Sequence, residues 1–177
     1  MALIVQNGDM VLRKISKDIP ISSITKPKIQ KIIALMNEAL DSQFDGVAIA
    51  APQVGESIRM FIVSGKIFDE DFVRGKGTTE NDLYAKDRHD NMVFINPILK
   101  KISKDKKLMI EGCLSVRPLY GKVRRATRAT VEAYDEHGHK FTKEGVGLLA
   151  HIFQHETDHL DGVLFIDKAK DLQEILT

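Results

Sequence analysis

A single cysteine, Cys113, is all that this chain of 177 residues carries. One thiol cannot close an internal disulfide, so disulfide-stapled secreted folds are excluded and a reducing compartment is expected. Long apolar runs are missing too. None approaches the roughly 20 residues that cross a bilayer as a helix. The opening MALIVQNGDM lacks the basic n-region and apolar core of an export leader, so none is expected. Net charge is nearly absent, +1 at neutral pH, which gives no global pull toward nucleic acid or an anionic membrane. Neither internal repeats nor low-complexity segments occur. What remains is 43% hydrophobic and 29% charged residues, the composition of one soluble globular domain large enough to bury a core, expected in the cytosol.

Residues 26–42 carry Ile29, Ile32, Ile33, Met36 and Leu40 at helical spacing among polar residues, which predicts an amphipathic helix docked on a core. IRMFIV (58–63) and NMVFINPIL (91–99) are β-rich, the second interrupted at Pro97. RATVEAYDEHGHKFT (128–142) reads as strand, turn, strand, turning at DEHG. A second helix is expected over 147–162, anchored by Leu148, Leu149, Ile152 and Phe153 and stopped by Gly162. Residues 64–91 are polar, glycine-punctuated and long for a connection, so they form either a partly mobile insert or a hidden short element. The expected architecture is α+β, with short strands wrapped around one central helix.

That second helix contains HIFQHETDHLDG (151–162). Residues four apart share a helix face, so His155 and His159 aim their imidazoles at one point. Glu156 lies beside that point without being forced to ligate. This is the content of H-E-x-x-H: two neutral nitrogen ligands and a general base. The competing reading is a solvated helix face where such residues meet by chance. A catalytic ion usually takes a third protein ligand, for which His151, Cys113 and a distant carboxylate are candidates. Three imidazoles spread over two helical turns cannot all reach one ion, so His151 is read as supporting the site. Cys113, in EGCLS (111–115), follows a glycine that permits close backbone approach, and its thiolate suits zinc or ferrous iron.

Three segments in this order resemble the motifs of the peptide deformylase family: GVAIAAPQ (46–53), EGCLS (111–115) and QHETDHLDG (154–162). VLRKIS (11–16) resembles the family's N-terminal strand, and the resemblance covers roughly residues 5–167. It implies a peptide deformylase-like fold, with short, mostly antiparallel strands packed around a central metal-binding α-helix. One catalytic domain would span residues 1–177, with the polar insert at about 64–91. Cys113, His155 and His159 would hold one divalent ion, Fe²⁺ in vivo, with Zn²⁺, Ni²⁺ or Co²⁺ as substitutes. The implied reaction removes the N-formyl group from the initiator methionine of a nascent polypeptide and releases formate. Water on the ion would attack, with Glu156 as general base and then acid. Gln53 and the Leu114 backbone N–H would stabilise the developing oxyanion. The backbone of Gly46, Val47, Ala48 and Gly112 would hold the extended substrate. The implied partner is the N-formylmethionyl nascent chain, with transient ribosome contact left open and no DNA or membrane. The implied compartment is the bacterial cytoplasm or an organellar matrix or stroma.

Several readings stay open. Glu111 either pairs with Arg125 to hold the ligand loop or makes an ordinary surface ion pair. Asp158 either orients a neighbour of the site or faces solvent. RPLYGKVRRATR (117–128) either meets RNA or an acidic substrate or forms the solvated face of a strand pair. Ala48 stands where the family usually has glycine, which raises crowding or a forbidden φ > 0. Arg117 falls at the pocket rim, and His151 stands where many members have arginine. These departures keep two alternatives in view: an amidase for another N-acyl or peptide substrate, and a catalytically silent homologue.

Overall fold

In the computed structural model the described residues are 3–69, 72 and 89–174. Alternation along the strands builds a three-layer core. The strands β1 (Ala48–Ala50), β2 (Met60–Val63), β3 (Met92–Ile102), β6 (Arg128–Tyr134) and β7 (Lys140–Val146) form one antiparallel sheet in the order β1-β2-β3-β6-β7. Successive side chains leave opposite faces of a strand. Ile49, Met60, Ile62, Val93 and Ile95 thus pack with Ile29, Ile32, Ile33, Met36 and Leu40 of α1 (Pro27–Asp41). Their neighbours Ala48, Ala50, Phe61, Val63 and Phe94 pack with Leu149, Ile152, Phe153 and Leu160 of α2 (Leu148–Leu160). Phe94 sits at the centre of this second layer, stacked on Phe61 at 4.7 Å and edge-on to Phe153 at 5.3 Å.

No residue of α2 is fully exposed. The helix touches β1, β2, β3, β5, β6 and β7, so its polar residues His151, Gln154, Glu156, Thr157 and His159 are buried along with its apolar ones. Its other side meets a smaller antiparallel sheet, β4 (Lys106–Gly112), β5 (Leu119–Ala126) and β8 (Lys170–Glu174), ordered β4-β5-β8. A third cluster, Leu12, Val116, Val123, Leu164 and Phe165, fills the space beneath it. The architecture is the expected α+β one, and both predicted helices lie within a residue or two of their expected bounds. Gly162 ends α2 at φ 73°, and an added Cβ would lie 2.6 Å from the Arg13 carbonyl oxygen, so both conformation and space require glycine.

One local expectation, the strand over 11–16, needs correction, and two others take a definite form. Pro97 interrupts β3 without ending it: a bulge between Ile95 and Ile98 removes the ladder position that Pro97 cannot serve, and the strand runs on. Asn96, at φ 50°, absorbs the irregularity and ties it to Ile19, accepting from its N–H and donating to its C=O. Residues 11–16 form no strand. Met10–Arg13 is a 3₁₀ turn whose Asp9 carboxylate accepts from Val11 N–H, and only Lys17 makes a bridge, to Ile58. The run 117–128 is largely β5, where Lys122 and Arg124 point to solvent while Val123 and Arg125 point inward. Most of the insert at 64–91 lies outside the described residues; its start is a 3₁₀ turn, Gly65–Phe68.

Candidate active site

The two sheets end side by side over α2 and leave a cleft. Gly46, Val47 and Ala48 form one wall; Gly112, Cys113, Leu114, Arg117 and Tyr120 form the other. Leu148, His151, Ile152, His155 and Glu156 of α2 make the floor, and Gln53 closes one end. Every expected site residue therefore lies in or directly behind this cleft. Both walls are strand edges. Val47 C=O accepts from Ser64 N–H and Ala50 N–H turns the other way, to Gln53 Oε1. By alternation, the Ala48 N–H and C=O face the cleft. Ala48 is a β residue at negative φ, so its methyl meets no backbone penalty. Opposite it, an added Cβ on Gly112 would lie 2.4 Å from the Tyr120 ring, which explains the glycine. At the mouth Arg117 Nη2 donates to Asp45 Oδ1 at 2.5 Å, linking the walls.

Cys113, His155 and His159 bring one sulfur and two imidazoles together, with ligand atoms within 4.8 Å of one another. Cys113 Sγ lies 3.2 Å from His159 Nε2, near the roughly 3.6 Å that a thiolate and an imidazole span around one tetrahedral ion. Burial pushes the His159 imidazole well below its ordinary pKa, so it stays in the neutral form that ligates. Burial lowers His155 too, but its hydrogen bonds to Cys113 and Glu111 outweigh this and hold it well above its ordinary pKa, so an ion there would displace a proton. Among the described residues, buried Glu156 Oε2 has no hydrogen-bond partner. Burial is also the chief reason the Glu156 carboxyl is pushed up to about 7. A thiol, two imidazoles and an unpartnered carboxylate at one point fit a divalent ion with a base beside it.

Glu111 is fully buried and resolves its open reading: the pair with Arg125 is not a surface one. Arg125 Nε donates to Oε1 at 2.6 Å and Nη2 to Oε2 at 3.1 Å. On the other side His155 Nδ1 meets Oε2 at 2.8 Å and His151 Nε2 meets Oε1 at 2.7 Å. Burial alone raises the Glu111 carboxyl pKa. Hydrogen bonds from His151, His155 and Arg125 outweigh it and hold the group well below the usual carboxylate range. A carboxylate only accepts, so His155 donates Nδ1–H and presents Nε2 toward Cys113 and His159. Asp158 accepts from Arg125 at 2.7 Å and from Lys168 at 2.7 Å, so it supports the pair rather than simply facing solvent.

Sequence reasoning gave no role to two residues that matter here. Ser115 Oγ accepts from Gln53 Nε2 at 3.1 Å, and the same amide reaches Cys113 Sγ at 3.5 Å. Gln154 donates to Ala126 C=O and accepts from its N–H, both at 3.0 Å, and so locks α2 to the end of β5. The motif QHETDH contains Gln154, but only contact across 28 residues reveals what it does.

An α+β frame that brings a thiol, two imidazoles and a carboxyl together at one cleft has the make-up of a metal-dependent hydrolase. The chain belongs to the peptide deformylase family: the family model described as polypeptide deformylase matches residues 1–174. It is 39% identical over 164 residues to peptide deformylase 2 of Gloeobacter violaceus, covering 93% of this chain and 76% of that protein. It is 37% identical over 169 residues to the peptide deformylase of Carboxydothermus hydrogenoformans, covering 96% and 93%. Among solved structures it resembles the Met-Ala-Ser-bound class I type b peptide deformylase of Acinetobacter baumannii, with TM-score 0.78, 27% identity and 95% and 99% coverage. The actinonin complex of the Synechococcus elongatus enzyme gives TM-score 0.74 at 31% identity, covering 95% of this chain and 78% of that one.

Proposed function

We propose that this chain hydrolyses the N-formyl amide on the N-terminal methionine of nascent polypeptides, releasing formate and a free amine. The observation that carries the reading is the convergence of Cys113, His155, His159 and the raised Glu156 carboxyl between two free strand edges. An extended peptide fits there as an added strand, pairing with the backbone of Gly46, Val47 and Ala48 on one side and Gly112 on the other. Its first side chain would lie over Leu148, His151 and Ile152.

Cys113, His155 and His159 would hold the ion, which when bound supplies Lewis-acid polarisation of the formyl oxygen and lowers the pKa of water. Glu156, poised near neutrality, takes a proton from the attacking water and returns it to the leaving nitrogen as the C–N bond breaks. Gln53 Nε2 and Leu114 N–H supply donors where negative charge develops on oxygen. Ser115 fixes the Gln53 amide from behind.

The same donor set accepts Fe²⁺, Zn²⁺, Ni²⁺ or Co²⁺, and Fe²⁺ is the ion we assign in the cell. One catalytic domain over 1–177 agrees with a family match that runs through residue 174. The substrate restricts the enzyme to compartments that make formylated chains, the bacterial cytoplasm or an organellar matrix or stroma. Contact with the ribosome would be transient, and no DNA or membrane partner is assigned. The test is formate release from formyl-Met-Ala-Ser by anaerobically prepared, Fe²⁺-loaded protein, beside its N-acetyl counterpart and a Glu156→Ala variant. Release from the formyl peptide alone, lost in the variant, is expected. Cleavage of the acetyl peptide instead would transfer the reading to another N-acyl substrate. No release from metal-loaded protein would favour a silent homologue.

A further inference from the structure

Two groups of ligand-type atoms meet in this cleft and share His155. The second consists of Glu111, His151 and His155, also within 4.8 Å of one another. It is a poor cation site. Both Glu111 oxygens already accept from the Arg125 guanidinium, at 2.6 and 3.1 Å, so an entering cation would have to displace that positive charge. The arrangement instead resembles a vice. The guanidinium fork grips one edge of the carboxylate, while His151 holds Oε1 at 2.7 Å and His155 holds Oε2 at 2.8 Å from the other. Each oxygen has two donors. His151 and His155 lie one helical turn apart on the same face of α2, with ring centroids 6.4 Å apart.

We propose that His151 is a positioning residue for the metal centre: by donating Nε2–H to Glu111 Oε1 it fixes the carboxylate that orients the imidazole of His155. The inference rests on the ligand set assigned under the proposed function. With His151 removed, Oε1 is held by Arg125 alone, and the carboxylate can tilt about the guanidinium fork. Its second contact, to His155 Nδ1, then loosens, and with it the direction in which His155 Nε2 points. Both groups are buried, His151 3% and Glu111 0% exposed, so bulk solvent does not stand in for the lost donor. Glu111 also lies two residues before Cys113, so a tilt at Glu111 reaches a second ligand through the backbone. An imidazole at position 151 therefore does work on the metal without ligating it.

The experiment uses Co²⁺ as probe in the full chain, with the thiolate-to-cobalt absorption as readout and its rate of loss to excess chelator as the measured quantity. Three variants accompany the parent: His151→Leu, which fills space without a donor; His151→Gln, which keeps a donor of similar reach; and His151→Asn, polar but too short to reach Glu111. The Leu and Asn variants are expected to lose the ion about tenfold faster, with a shifted absorption band, and the Gln variant to stay within about twofold of the parent. If the Leu variant does not fold, the contrast between Asn and Gln decides. Equal rates in donor-bearing and donor-free variants would overturn the proposal, even if the donor-free ones melt earlier. A parent that shows no thiolate band would overturn the ligand set itself, which is a separate failure.

Discussion

Glu156 is the residue on which most chemistry converges, and its environment makes a testable statement about stability. Burial raises its carboxyl from 4.5 to about 7 in the folded chain. Between those values the folded state keeps a proton that the unfolded state has released, so stability falls as pH rises through the window. Above pH 7 the buried carboxylate costs about 3 kcal/mol in the metal-free protein. Metal-free Glu156→Gln is therefore expected to match the parent near pH 4 and exceed it by about that amount at pH 8, in urea unfolding. A variant no more stable at pH 8 would mean that the carboxyl titrates normally. The H-E-x-x-H spacing was legible because both histidines and the glutamate lie within one helical turn or so. The pairing of Glu111 with Arg125 was one of two readings of the sequence, but its contact with His155, 44 positions away, was not legible, since only the fold brings them together.

Among the elements, α2 was legible from its apolar spacing and its stop at Gly162, and α1 from its stripe of isoleucines. Strand β4 was hidden, and β5 was only one of two readings of residues 117–128, because their polar residues mask the period. Lys106, Lys107 and Glu111 share β4 with exposed Leu108 and Ile110, and β5 buries an arginine where alternation expects an apolar residue. That exception belongs to the site: Arg125 points inward because Glu111 awaits it. The end of α2 supports an element-scale prediction. Gly162→Ala demands φ 73° of an alanine and brings its Cβ 2.6 Å from the Arg13 carbonyl oxygen. A loss of at least about 2 kcal/mol is expected in denaturant unfolding. A neutral result would show that the turn after α2 is free to shift.

For the whole molecule, the site is a joint between two sheets. Cys113 follows β4 of the small sheet, Gln53 follows β1 of the large one, and His155 and His159, the proposed imidazole ligands, come from the helix between them. A bound ion therefore ties together parts that the chain supplies from distant positions. Saturation a thousandfold above the dissociation constant stabilises the folded state by about 4 kcal/mol, roughly 8–16 °C in melting temperature for a chain of this size. Stripping the metal is expected to lower the melting temperature by that much, and adding Co²⁺ to restore it, as read by differential scanning calorimetry. No change would place the ion outside the core of the fold. The three quoted motifs made this joint visible in the sequence, whereas the two sheets that carry them emerged only with the fold.

The most direct test of the central claim is the position of the ion itself. Anomalous diffraction at the absorption edge of the loaded metal should give one peak, about 2.3 Å from Cys113 Sγ and about 2.1 Å from an imidazole nitrogen of both His155 and His159, within reach of Glu156 across one water. A peak among Glu111, His151 and His155, or no ordered peak in protein that carries one metal per chain, would contradict the account.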